Sequence, residues 1–292
     1  MSTELYSGHF LGLEPEFHDY ARARVVVLPL PYEGTVSYGT GTSRGPAAII
    51  AASQQVEGWD EELDRETWRV GIATAEPVPP HRGSSLEEIE RIAERAREIV
   101  ADDKFVVGLG GEHTVSLGLI RALKERHPGL SVLQIDAHLD LRDEYDGTAH
   151  SHATVMRRVR ELGCKIVCCG ARAFDREEWE YARAQDIRVF RARELGQSTA
   201  FVEDAVAALE DPVFVTVDLD GFDPSVAPST GTPEPGGLGY AQVLELLRVV
   251  GERKRVVGCD VVELAPDGVN HHSDLLAARV AYKMMGYFVD PR

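Results

Sequence analysis

The sequence predicts an α/β fold: a single-domain, three-layer sandwich in which helices cover both faces of a mainly parallel sheet of about eight strands. Three observations carry that expectation. Short β-rich runs alternate with helical patterns along the chain. Several of these runs are apolar without alternation, which is how strands buried on both faces read. No linker, repeat or low-complexity segment interrupts the 292 residues, so one domain over 1–292 is the economical division.

The candidate strands are 25–30, 70–73, 105–109, 132–135, 165–169, 187–190, 213–217 and 256–264. Between them, Ser85 and Glu88 form a capping-box pair ahead of an apolar stripe of Leu86, Ile89, Ala93, Ala96 and Val100. Val155, Met156, Val159 and Leu162 mark a second amphipathic helix. Pro46 suits the first turn of a helix running through Ile49 and Ile50. From Leu275 to Met285 the chain is apolar almost all round, so its last helix should be well covered. The loops at 75–84 and 223–239 are rich in Pro and Gly but too short to separate domains.

Composition narrows the function classes. Lys and Arg total 31 against 48 Asp and Glu, a formal charge of −17, with no basic run to make a nucleic-acid surface. No stretch approaches the ~20 consecutive apolar residues of a membrane helix. Met1 to Tyr6 lacks the basic and apolar regions of a signal peptide, so a soluble cytoplasmic protein is expected. Cys164, Cys168, Cys169 and Cys259 contain no Cys-x-x-Cys pair and read as reduced, buried small hydrophobes.

Three short segments carry the chemistry: Gly110-Gly111-Glu112-His113, Asp136-Ala137-His138-Leu139-Asp140 and Asp218-Leu219-Asp220. Each sits where an apolar run gives out, and open α/β sheets bind ligands beyond the carboxyl ends of their strands. In an extended chain, residues two apart point the same way, so Asp136, His138 and Asp140 share a side, as do Asp218 and Asp220. Together with His113 they offer four carboxylates and two imidazoles, with no thiol. Such a set suits hard or borderline divalent cations, manganese above all. Its charge matches a pair of ions sharing bridging oxygens, which points to a two-metal hydrolase. A lone Asp-x-His would be better read as a hydrogen-bonded structural pair; the convergence of all three segments changes that balance.

These segments resemble the signature blocks of the ureohydrolase (arginase/agmatinase) family, agmatinase branch. Further blocks are Thr40-Gly41-Thr42-Ser43-Arg44-Gly45-Pro46, Ser151-His152-Ala153-Thr154, the extension Gly221-Phe222-Asp223-Pro224, Thr230 to Leu238, and Asp260-Val261-Val262-Glu263-Leu264-Ala265-Pro266. They fall in family order from about residue 30 to residue 285, which makes the set specific where any one block would not be. The resemblance implies two Mn2+ per chain. One ion would take His113, Asp136, Asp140 and Asp218; the other would take His138, Asp136, Asp218 and Asp220. Glu263 matches the residue that receives the substrate guanidinium, and His152 the proton-shuttling histidine. Two departures, Glu112 for a common Asp and Ala265 for a common Asn, fall outside the ligand positions.

Physical chemistry asks for the same parts. A guanidinium is a poor electrophile, and metals can bring the pKa of water down to about 7, with the hydroxide held between the two ions. Asp140 would carry a proton to the departing amine and His152, or the competing His150, would relay protons to solvent. His271 and His272 are expected either just behind the ligands or at the surface. In the loop Arg142-Asp143-Glu144-Tyr145-Asp146, acids oppose a carboxylate tail and favour an ammonium tail. Asp143, Glu144 and Asp146 are therefore expected to bind substrate with Glu263 and His152, unless they are only a solvated loop. Agmatine, hydrolysed to putrescine and urea in polyamine biosynthesis, is the first expectation. Aminopropylagmatine, guanidinobutyrate (seated by Arg142) and arginine are the alternatives. Two readings from other classes are a single-zinc deacetylase, opposed by the full ligand set, and a non-catalytic metal-binding subunit, opposed by the intact Glu263 and His152. Family analogy adds a homo-oligomer, a trimer or hexamer.

Overall fold

The computed structural model describes residues 8–196 and 198–290, so Met1 to Tyr6 lies outside the described residues. Among the described residues ten strands are formed: β1 (Val25–Leu30), β2 (Trp59–Asp60), β3 (Arg65–Glu66), β4 (Ile72–Thr74), β5 (Phe105–Gly110), β6 (Ser131–Ile135), β7 (Lys165–Ala171), β8 (Arg188–Arg191), β9 (Val213–Asp218) and β10 (Val256–Val262). Eight of them make one sheet in the order β4-β1-β5-β10-β9-β6-β7-β8, with every pairing parallel. The expected α/β sandwich is the one observed. The antiparallel β2–β3 hairpin was not expected; at two residues a strand it carries no periodicity to read.

The helices are α1 (Pro15–His18), α2 (Gly45–Ser53), α3 (Ser85–Ala101), α4 (Ser116–Arg126), α5 (Val155–Glu161), α6 (Arg176–Ala184), α7 (Ala192–Leu195), α8 (Phe201–Ala208), α9 (Tyr240–Arg253) and α10 (His272–Phe288). They cover both faces. In β1, Val25 and Val27 enter one apolar core together with residues of α2, α8, α9 and α10. Val26, Leu28 and Leu30 enter the other, with residues of α3 to α6. All six residues of β1 are buried, which is why its sequence does not alternate. All four cysteines are buried and free.

Two local expectations shift. Helix α3 is capped by Ser84, whose side chain accepts the Glu87 N–H at 3.4 Å. Glu88 is buried and accepts the His81 N–H at 2.6 Å, so it is not available to close a box with Ser85. The strand expected at 70–73 starts two residues later, because Thr67–Val70 forms a 3-10 turn. Among the described residues no helix is long and apolar enough to cross a membrane.

Candidate metal centre and active site

Four neighbouring central strands, β5, β10, β9 and β6, run parallel and end side by side. His113 follows β5, Glu263 follows β10, Asp218 ends β9, and Asp136 follows β6. Glycine permits the crowding. A Cβ on Gly111 would lie 2.0 Å from the Tyr32 carbonyl oxygen, and one on Gly221 would lie 2.8 Å from the Asp136 nitrogen.

The two-residue spacing works here by turns rather than by extension. The Asp136 carboxylate accepts the His138 N–H at 2.6 Å, and the Asp218 carboxylate accepts the Asp220 N–H at 2.8 Å. Such side-chain-to-backbone closures fold the chain back on itself, and Leu219–Gly221 is a 3-10 turn. Asp140 and Glu263 both hold positive φ, 53° and 65°. That region is costly for residues with a Cβ and is found where surrounding structure imposes it.

The side chains converge. His113 Nδ1 lies 3.1 Å from Asp136 Oδ2, 3.0 Å from Asp140 Oδ2 and 3.4 Å from Asp218 Oδ2. His138 Nδ1 lies 3.0 Å from Asp220 Oδ2 and 3.5 Å from Asp136 Oδ1. The ligand-competent atoms fall into two groups, His113–Asp136–Asp140 and Asp136–His138–Asp220, sharing Asp136. Asp136, Asp218 and Asp220 are all buried.

The charges demand cations. Burial and the neighbouring Asp136 push the Asp140 carboxyl up to about 7. Burial, then Asp220 and Asp136, hold Asp218 well above the usual carboxylate range. Burial works to lower the two histidines, yet the facing carboxylates win: His113 is raised well above its ordinary value, and His138 to about 12. His113 Nδ1 makes no hydrogen bond although buried among three carboxylates. An oxygen-rich, imidazole-containing donor set with a shared carboxylate fits a pair of divalent ions.

Residues that sequence reasoning passed over hold this set in place. Gln134 donates to Asp136 Oδ2 at 2.8 Å, and Thr216 Oγ1 lies 3.0 Å from His113 Nε2. Arg172 donates to the carbonyls of Asp220, Phe222 and Glu234 at 2.6, 3.1 and 2.6 Å, clamping the turn that carries Asp220. Their signal is tertiary: nothing in the sequence says which carbonyls an arginine will meet.

Above the cluster opens a cavity of about 360 Å³. His113, His138, Asp140, Asp218, Asp220, His152 and Glu263 all line it. Glu263 Oε1 accepts the His113 N–H at 2.7 Å, and burial followed by Glu112 raises its carboxyl well above the ordinary value. His152 is lowered by burial and meets the edge of Tyr145, ring centres 5.5 Å apart.

Asp143, Glu144, Asp146 and His150 are not part of the cavity wall. Asp143 is largely exposed and pairs with Arg158 at 2.8 Å, on the face of α5. The acids that do line the outer cavity are Asp175 and Glu178, at the start of α6. Arg142 also lines it, 2.8 Å from Asp175 and 3.7 Å from Glu178. His271 is exposed and pairs with Asp274 outside the site.

A profile of the arginase family matches residues 23–286. The chain belongs to the arginase family. Among curated relatives, the N(1)-aminopropylagmatine ureohydrolase of a Synechocystis strain is 42% identical, covering 92% of this chain and 90% of its own. The agmatinase of Pyrococcus horikoshii is 35% identical, covering 97% and 98%. The crystal structure of the agmatine ureohydrolase of Thermoplasma volcanium superposes with a TM-score of 0.84 at 27% identity, covering 92% of this chain and 91% of that one. As a member of this family the chain is a hydrolase of guanidino C–N bonds, and it carries groups of side chains able to ligate metal.

Proposed function

We propose that this chain is a binuclear manganese ureohydrolase that releases urea from an agmatine-type cation. The observation that carries the reading is the shared Asp136 between two ligand groups, directly beneath a cavity that also exposes Glu263. His113, Asp136, Asp140 and Asp218 would hold one ion, and His138, Asp136, Asp218 and Asp220 the other. Two divalent cations bound there supply the Lewis acidity that activates water at neutral pH.

The chain's own residues do the rest. Glu263, a buried carboxylate with no basic partner within the described residues, receives the guanidinium and orients its carbon toward the cluster. Water adds to that carbon, the C–N bond to the alkyl amine breaks, and Asp140 carries the proton given up by the water to the departing nitrogen. His152 exchanges protons between the cavity and solvent. The products are urea and a free polyamine.

Substrate choice lies in the outer cavity. Arg142 is already faced by Asp175 and Glu178, so it is not free to seat a carboxylate. Asp175 and Glu178 line the cavity with Tyr38, Tyr145 and Phe174, which supports them, rather than the 143–146 acids, as partners for a substrate ammonium. That environment opposes arginine and guanidinobutyrate. Agmatine fits it, and so does its longer aminopropyl derivative, which the 42%-identical relative is named for. A place in polyamine synthesis, the cytoplasm and a homo-oligomeric assembly go with this reading. A urea-release assay of the manganese-loaded chain over agmatine, aminopropylagmatine, guanidinobutyrate and arginine tests it. Urea from the first two is expected, and a preference for arginine would overturn the substrate assignment.

A further inference from the structure

Beside the metal ligand His113, Glu112 anchors a buried network that the chemistry above does not use. Its side chain is fully buried and accepts four hydrogen bonds. Oε2 takes the N–H groups of Gly34 and Thr35, both at 2.7 Å. Oε1 takes the hydroxyls of Thr35 at 2.6 Å and Thr114 at 2.5 Å. On its other side, Thr35 Oγ1 accepts the His152 backbone N–H at 3.2 Å and lies 3.3 Å from His152 Nδ1.

A carboxylate at Glu112 leaves one arrangement of protons. It can only accept, and it meets two backbone N–H groups and two hydroxyls. Thr35 has a single hydroxyl proton, and it points to Glu112. The Thr35 oxygen can therefore offer His152 only lone pairs, so Nδ1 meets it as an N–H donor. An imidazole with its proton on Nδ1 has a bare lone pair on Nε2. Among the described residues Nε2 has no hydrogen-bond partner, and His152 lines the cavity.

We propose that Glu112, acting through Thr35, is a positioning residue that fixes the His152 proton on Nδ1 and leaves Nε2 to exchange protons with the cavity. The exchange role rests on the reading of His152 given above; the placement of the proton does not.

Glu112→Gln tests the relay with no change of size. The new amide must turn its oxygen to the two backbone N–H groups and its NH2 to the two hydroxyls. Thr35 then accepts on that side, and its freed proton points to His152 Nδ1, which must become the acceptor. The tautomer inverts. Replacing an orienting carboxylate by an amide strands a catalytic histidine in the wrong tautomer by the same logic.

The measurement is long-range proton–nitrogen NMR of the His152 ring in the 15N-labelled full chain, loaded with diamagnetic zinc. The wild type should show the proton on Nδ1, and Glu112→Gln should show it on Nε2 with metal content unchanged. In the manganese-loaded enzyme, kcat should fall by at least about tenfold while KM stays within about threefold. Thr35→Val should release the Nδ1 preference and Thr35→Ser restore it, which decides the matter if Glu112→Gln does not fold. A wild-type ring protonated on Nε2, or an Nδ1 proton that survives both Glu112→Gln and Thr35→Val, overturns the proposal. Full urea release by His152→Ala would instead overturn the exchange role of His152, a failure separate from that of the relay, which the spectra decide alone.

Discussion

Two of the chain's acid clusters, one with only Asp60 buried and one buried throughout, are neutralised in different ways. In one, Lys283 of α10 is 3% exposed and places its Nζ 2.7 Å from Asp60 Oδ1 and 3.1 Å from Glu62 Oε2. That cluster brings its own ammonium and fastens the β2–β3 hairpin to the last helix, and Tyr287 adds a hydrogen bond to Glu62. In the other, Asp136, Asp140, Asp218 and Asp220 converge with only His113 and His138 between them. Among the described residues no lysine or arginine side chain forms an ion pair with these four carboxylates. Burying unpaired charge is expensive. A cluster closed by an internal cation is structural; one left open to cations is a place for ions from solution.

The comparison can be broken from either side. The largest effect is expected at the shared ligand. Asp136→Asn should weaken retention of both ions by more than about 100-fold, beyond what disturbing residues around the ligands costs, and abolish urea release. Equilibrium dialysis with manganese checks the first and the assay the second. Lys283→Met strands Asp60 instead. It should cost ~3–5 kcal/mol of stability in urea unfolding, as loss of one partner from a buried pair does, while metal content stays normal. Loss of metal in Lys283→Met would show that the two clusters are not independent.

Chelation should lower the melting temperature of the wild type, and manganese should restore it. Each site contributes about 2.7 kcal/mol at a free ion concentration 100 times its Kd. A thermal scan with and without chelator reads this directly, and an unchanged midpoint would contradict the charge argument. The smallest effect belongs to the exposed loop. Asp143→Asn should leave KM for agmatine within about twofold, because its charge is spent on Arg158 at the surface. Glu178→Gln, inside the cavity wall, should raise KM more than Asp143→Asn does.

Much of this was legible before folding was considered. The unalternating strands announced a covered parallel sheet, and His113, Asp136, His138, Asp140, Asp218 and Asp220, singled out by residue type and spacing, do converge beyond the strand ends. Their local geometry was not legible. The spacing of Asp136 and His138 suggested extension, whereas a carboxylate capturing the N–H two residues on builds the turn. Glu88 looked like a cap from its distance to Ser85, but His81 lies in a loop whose path only the tertiary structure sets. The loop acids drew attention by proximity to the ligand block, while Asp175 and Glu178, about 30 residues later, arrive through the fold. Gln134, Arg172 and Thr35 share that history: their partners are distant in sequence, and their residue types carry no metal or catalytic signature alone.

On the proposed function, the open cluster holds two ions which together hydrolyse a guanidino cation. Titrating the metal-free chain with manganese while following urea release from agmatine and from aminopropylagmatine tests it most directly. Activity should climb to a plateau at two ions per chain, with arginine yielding little urea. A plateau at one ion, or no urea from either amine substrate at full loading, would contradict it.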